Sequence, residues 1–211
     1  MKYLILLSLF TISISCKKEP LQYKIIGSII NVNTTNTVAN AKLKFYQTVV
    51  NGNALNPNFI YIGSTITNST GEYSFRFDRE KSDEFKIEVE HEEFYNQTEM
   101  YSFSLLSTQN ENNFSFKLES KSWIKVRLLN TFVETNEILN FYKHNLKEDC
   151  ITCCANGNVA IPYTIPDTTF ICPVVGDKYF KYTYGEVLAN SSTTDSVLCQ
   201  QNDTTEVFIQ Y

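Results

Sequence analysis

Histidine and glycine are scarce in this 211-residue sequence, at two and seven. Two His leave little for imidazole catalysis or zinc chemistry. Seven Gly argue against phosphate-cradling loops, and no Gly-x-Gly-x-x-Gly, Walker A, Gly-x-Ser-x-Gly or His-Glu-x-x-His motif occurs. Basic residues are outnumbered, 18 Lys+Arg against 23 Asp+Glu, for a formal net charge of −5. No basic face is available to release counterions from phosphate, so no nucleic-acid partner is expected. Beyond Phe10 no apolar run is long enough to cross a membrane as a helix. These absences leave a non-catalytic protein without a cofactor as the expectation.

What is abundant is hydrophobic side chains, 43% of the chain, and rings, 14%. That content builds a core and excludes wholesale disorder. Runs rich in Ile, Val, Phe, Tyr and Thr alternate with Asn-, Ser-, Thr- and Gly-containing turns. They predict strands over 23–32, 41–49, 59–67, 73–77, 85–91, 100–106, 113–118, 123–130, 138–142, 168–174, 179–184 and 206–210. The 136–146 stretch fits a short helix about as well as a strand. The fold class expected is all-β, with two β-sandwich domains in tandem. No fixed-period repeat is visible.

The N-terminus reads as a signal peptide over 1–15. Lys2 gives the positive region, Tyr3 to Phe10 the apolar core, and Ser13-Ile14-Ser15 the small residues before Cys16. This end resembles a bacterial lipobox, with Ser13 standing where that pattern usually carries Leu. The resemblance implies that Cys16 carries acyl chains such as palmitate, and that 16–20 form a short tether. It also implies a gram-negative cell envelope, most simply the outer membrane, with the membrane engaged through lipid. The competing reading is an ordinary secretory signal with Cys16 as a stray thiol. Loss of 1–15 removes Lys2 and no acid, so charge gives the mature chain no attraction to an anionic bilayer.

The remaining cysteines set the domain boundary. None lies in 21–118, and Cys150, Cys153, Cys154, Cys172 and Cys199 all lie in 121–211. Two sandwiches, 21–118 and 121–211, explain this asymmetry, and each is a normal size for the fold. Export favours disulfides for this set. Five cysteines leave one odd thiol, available in principle to a partner chain. Cys172 and Cys199 are expected to bond back to the 150–154 loop, with the neighbours Cys153 and Cys154 serving different partners. The alternative use of Cys150-x-x-Cys153 is redox or metal chemistry. No second Cys-x-x-Cys completes a zinc ribbon.

Four pieces of 21–118 carry a family resemblance. They are Lys24-Ile25-Ile26-Gly27-Ser28-Ile29, Val38-Ala39-Asn40-Ala41-Lys42-Leu43-Lys44-Phe45, Thr67-Asn68-Ser69-Thr70-Gly71-Glu72-Tyr73-Ser74-Phe75 and Phe85-Lys86-Ile87-Glu88-Val89-Glu90. Together they resemble the carboxypeptidase regulatory-like domain, a transthyretin-like sandwich of seven strands. The resemblance implies a rigid accessory domain without chemistry of its own. A zinc carboxypeptidase would need His-x-x-Glu, and neither His91 nor His144 has Glu at the third following position.

Three further groups have two readings each. Glu88, Glu90, Glu92 and Glu93 around His91 could hold a hard cation, or form the solvated end of a strand. Exposed rings could stack on sugars, or be core and β propensity. Trp123, the only Trp, could wedge the domains together. The Asn-x-Ser/Thr triplets at Asn33, Asn68, Asn190 and Asn202 read as polar turns in a bacterial chain. The 145–162 stretch is the longest candidate binding loop. The function expected is a lipid-anchored binding or structural protein whose partners are other envelope proteins or glycans. The alternative is a cell-surface carbohydrate-capture lipoprotein, which requires solvent-facing rings grouped on one face.

Overall fold

The alternation in the sequence becomes an alternation of burial. In β1 (Gln22–Asn31), Tyr23, Ile25, Ile29 and Asn31 point inward, with less buried residues between them. In β5 (Glu84–Glu90), Phe85, Ile87 and Val89 are buried while Lys86, Glu88 and Glu90 face outward. The computed structural model describes residues 20–51, 54–131, 138–144, 147–148, 150, 152–154, 157–186 and 191–211. Residues 1–15 and Cys16 lie outside the described residues.

Two sandwiches follow one another, each with its own core. The first pairs a sheet of β1, β4 (Glu72–Asp78), β7 (Asn112–Asn113) and β8 (Phe116–Leu118) with a sheet ordered β3 (Ala54–Ile66), β2 (Lys42–Asn51), β5, β6 (Gln97–Ser102). Ile25, Ile29, Leu43, Phe45, Phe85, Ile87 and Leu118 fill its interior. Phe45 and Phe75 stack there at 4.1 Å.

The second sandwich uses β9 (Lys121–Leu129), β10 (Ile138–His144), β11 (Gly157–Pro162), β12 (Asp167–Val175), β13 (Lys178–Glu186), β14 (Ser191–Cys199) and β15 (Thr204–Gln210). Its sheets run β12-β9-β15 and β11-β10-β13-β14. Ile124, Val126, Leu128, Leu139, Phe141 and Phe180 pack between them.

The two connectivities are the same. In each half the first strand lies between the fourth, antiparallel, and the last, parallel. In each half the other sheet runs third, second, fifth, sixth. The first half differs only in that its last strand is broken into β7 and β8. Gly27 of β1 faces the break, and a Cβ there would stand 1.9 Å from the Phe114 carbonyl oxygen. The missing side chain lets that carbonyl bulge inward. The duplication was invisible in sequence because topology follows from alternation and turns, which different side chains can satisfy.

The structure corrects several boundaries. The predicted 100–106 strand is instead β6, ending at Ser102, followed by a single 3₁₀ turn over Phe103–Leu105. The helix alternative over 136–146 gives way to β10, which pairs on both sides. Two strands were not anticipated. β11 occupies the end of the supposed 145–162 loop, shortening it from one side. β14 is exposed over most of its length, so its sequence shows no alternation. Main-chain pairing to β13 and the Thr183–Thr194 hydroxyl contact at 2.9 Å hold it.

Gly71 behaves as a corner residue should. Its φ is +74°, and the Asn68 side chain accepts the backbone N–H groups of Thr70 and Glu72 at 3.0 and 2.9 Å.

Candidate functional site

The richest assembly of polar side chains lies where the sandwiches meet. β8 runs through Glu119 and Ser120 straight into β9, and both flanks of this connection are bonded. On one flank, Tyr95 N–H donates to the Glu119 carbonyl at 2.9 Å and Lys121 N–H to the Glu93 carbonyl at 2.8 Å. On the other, Gly176 N–H donates to the Ser120 carbonyl and Asn202 N–H to the Lys121 carbonyl, each at 2.8 Å. The junction is therefore a paired strand, unlike the loose polar linker common between domains.

Side chains reinforce it. Asn31, at the end of β1 and 2% exposed, donates to Asp177 Oδ2 at 3.1 Å and to Gln201 Oε1 at 3.2 Å. Ser120 Oγ donates to the same Asp177 oxygen at 3.3 Å, and Gln201 N–H reaches Asp177 Oδ1 at 3.2 Å. Gln201 Nε2 then donates to Glu93 Oε2 at 3.2 Å. Asn33 Nδ2 donates to the Gly176 carbonyl at 3.0 Å. Asp177 sits at the corner between β12 and β13 with φ +54°, a conformation short polar side chains tolerate.

The cysteine loop adjoins this network. Cys150 bonds to Cys153, and Cys154 bonds to Cys172 on β12. Cys153 and Cys154 thus serve different partners. The expected return of Cys199 to the loop is corrected. It stays a free thiol, fully buried in the second core, on β14 of the opposite sheet from Cys172. Burial pushes its pKa up and closes it to a partner chain.

Tyr95 inserts from the first half against this loop. Its hydroxyl donates to the Val174 carbonyl at 2.9 Å and lies 3.3 Å from Cys153 Sγ. The Lys147 ammonium stands 5.0 Å from the ring centre and pairs with Glu119. Burial, and then the Glu119 charge, push the Tyr95 pKa up to about 12. Tyr95 is thus the ring between the halves. Trp123 is half-buried on the outward side of β9, in register with Pro173 and Thr204.

The acidic run disperses. Glu88 pairs with Lys86 at 2.5 Å and Glu90 with Lys44 at 2.6 Å. The Lys86 contact, first, holds the Glu88 carboxyl below its usual range, and the Glu90 contact raises Lys44. Glu93 turns to Gln201, and His91 Nδ1 accepts the Glu93 N–H at 3.1 Å. His144, in the other half, meets Thr183 Oγ1 at 3.0 Å. Among the described residues, no three His, Cys, Asp or Glu are grouped to hold a metal ion. No described helix is long and apolar enough to cross a membrane.

One outward face gathers rings. Tyr46 and Tyr61 meet edge to face at 5.5 Å on the β2–β3 side of the first sandwich, and Tyr61 is 53% exposed. Lys86 Nζ stands 4.3 Å from the Tyr46 ring centre and 5.3 Å from that of Phe59.

Asn31, Tyr95, Asp177 and Gln201 were not singled out from sequence. Only the Gly176-Asp177 pair carried a local signal, that of a hairpin corner.

No protein-family model matches this sequence, and no curated protein does. Similar solved structures include the Bacillus anthracis TIE protein, at TM-score 0.41 and 12% identity, covering 90% of this chain and 34% of that one. A shaft pilin spaA variant from Lactobacillus rhamnosus GG gives TM-score 0.38 and 7% identity, covering 90% and 97%. The 3-chlorocatechol 1,2-dioxygenase of Rhodococcus opacus gives 0.36 and 11%, covering 50% and 62%. The chain spans about a third of the TIE protein's length and less than two thirds of the dioxygenase's. Likenesses this distant carry no argument about function.

Proposed function

We propose that this chain is a lipid-anchored, non-catalytic protein of a gram-negative envelope, held at the outer membrane by acyl chains on Cys16. Its two sandwiches form a rigid stalk that sets outward faces at a fixed distance from the bilayer. The first sandwich is read as a carboxypeptidase regulatory-like domain. The observation that supports the stalk most directly is the junction, where a two-residue connection and the first residue of β9 are bonded along both flanks. A hinge would leave those groups to water.

The test is fractionation with metabolic acyl labelling. The expected result is label and membrane recovery for the natural chain, both lost in Cys16→Ser. Recovery of the natural chain in the soluble fraction overturns the anchor. Digestion by a non-permeant protease on intact cells distinguishes outward display from a periplasmic face.

The ring group of Tyr46, Phe59 and Tyr61 favours a second reading, capture of a carbohydrate by stacking. Tyr61→Ala should abolish retention on the glycan that the natural chain binds. A glycan array without hits rejects this reading and leaves the stalk untouched.

A further inference from the structure

We infer that the Cys150–Cys153 disulfide is a thiol–disulfide exchange site for a dithiol, and that opening it frees Tyr95 and loosens the junction. The inference stands whether or not Cys16 is acylated.

The two disulfides differ in surroundings. Cys150 is half-exposed, whereas its partner Cys153 is 9% exposed. The second disulfide matches it in exposure, with Cys154 at 4% and Cys172 half-exposed, and differs in its anchoring: Cys172 lies within β12 and Cys154 N–H bonds to the Pro173 carbonyl at 3.1 Å. Exchange requires in-line access to a sulfur and a leaving thiolate that is stabilised. Cys150 supplies the access. Cys153 is the leaving group, because the Tyr95 hydroxyl is 3.3 Å from its sulfur.

In the first step a thiolate of the dithiol attacks Cys150 Sγ. A mixed disulfide forms, the Cys150–Cys153 bond breaks, and its electron pair leaves on Cys153. The second thiol of the dithiol then attacks its own half of the mixed disulfide. This closes an internal disulfide and expels Cys150 as thiolate. Two electrons pass from the dithiol to the protein, and the two protons that the dithiol loses end on Cys150 and Cys153.

The coupling to the junction lies in Tyr95. Its hydroxyl has one proton to donate, and in the disulfide form it goes to the Val174 carbonyl across the halves. A thiolate on Cys153 is the stronger acceptor. Turning toward it breaks the bond to Val174, and the 93–95 segment that flanks the connection loses one of its ties to the second half. Cys199 takes no part, since it is buried in the core and its thiol is held protonated.

The test treats the full-length chain in detergent with dithiothreitol and follows each cysteine by alkylation and mass spectrometry. Cys150 and Cys153 should become reactive about tenfold or more before Cys154 and Cys172. Hydrogen exchange at the Tyr95 and Lys121 amides should then rise about fivefold, the factor expected for one hydrogen bond. With Tyr95→Phe, which keeps both disulfides, those amides should exchange faster from the outset and respond no further to reduction. In single variants, a disulfide probe should react with Cys150 of Cys153→Ser about tenfold faster than with Cys153 of Cys150→Ser. Simultaneous opening of both disulfides overturns the exchange site. Unchanged exchange at Tyr95 and Lys121 after reduction overturns the coupling.

Discussion

Asn31→Ala tests whether the junction couples the two sandwiches. Asn31 is 2% exposed, and its amide nitrogen donates to Asp177 and Gln201. Its side-chain oxygen also accepts the Asn33 N–H at 2.9 Å. Alanine removes these three bonds, and a longer one to Ser120 Oγ at 3.5 Å, without giving the partners another donor. A hydrogen bond to a charged group contributes about 1.5–3 kcal/mol, and a buried group left unpaired costs about 1–3 kcal/mol. Water reaching the half-exposed Asp177 and Gln201 reduces the second contribution, so the expected loss is about 2–3 kcal/mol. For a chain of this size each kcal/mol moves Tm by about 2–4 °C, so differential scanning calorimetry should show a drop of roughly 4–12 °C. The transition should also broaden or split, because each half has its own core and only the junction makes them melt together. A single transition within about 0.5 kcal/mol of the natural chain would refute the reasoning, showing that the network decorates a junction set by other contacts.

Other consequences are open to similar tests. Phe45→Ala deletes a fully buried, stacked ring and should cost about 3–5 kcal/mol in urea unfolding, with the loss confined to the first sandwich. Gly27→Ala drives a methyl into the Phe114 carbonyl and should destabilise by more than about 1 kcal/mol, with NMR shift changes along β7 and β8. Lys44→Ala, at an outward ion pair, should change stability by less than about 1 kcal/mol and lose even that in high salt. The pKa of Tyr95 is raised from 10.0 to about 12, so its contribution is complete below pH 10 and lost as pH rises through about 12. Melting of the natural chain followed across that window should fall more steeply than melting of Tyr95→Phe.

Much of the fold was legible because strands with one wet face announce themselves. β5 reads directly from Phe85, Ile87 and Val89 against Lys86, Glu88 and Glu90, and Gly71 marked its corner correctly. β14 was not legible, because an edge strand exposed on both faces has no alternation and is held by its neighbour's main chain. The junction was illegible for a different reason. Asn31, Tyr95, Asp177 and Gln201 are far apart in sequence, and each is an ordinary polar or aromatic residue until the fold brings it to the others. The cysteines fall between these cases. Their number predicted one odd thiol, but only the assignment of Cys172 and Cys199 to opposite sheets decided which.

The parallel pairing of first and last strands has a mechanical consequence. Because β1 lies parallel to β8 and β9 parallel to β15, the chain enters each sandwich at one end and leaves at the other. A pull on the two ends of the paired strands then acts along them. β9 and β15 are held over seven registered positions, from Thr204↔Trp123 to Gln210↔Leu129, so their hydrogen bonds are loaded in shear and must yield together. Strands peeled from one end yield one bond at a time. In the first sandwich the break at Phe114 divides the same seam into β7 and β8. Stretched from its ends, the chain should therefore give way first in the sandwich nearer Cys16, and the disulfide-bearing sandwich should bear the greater force.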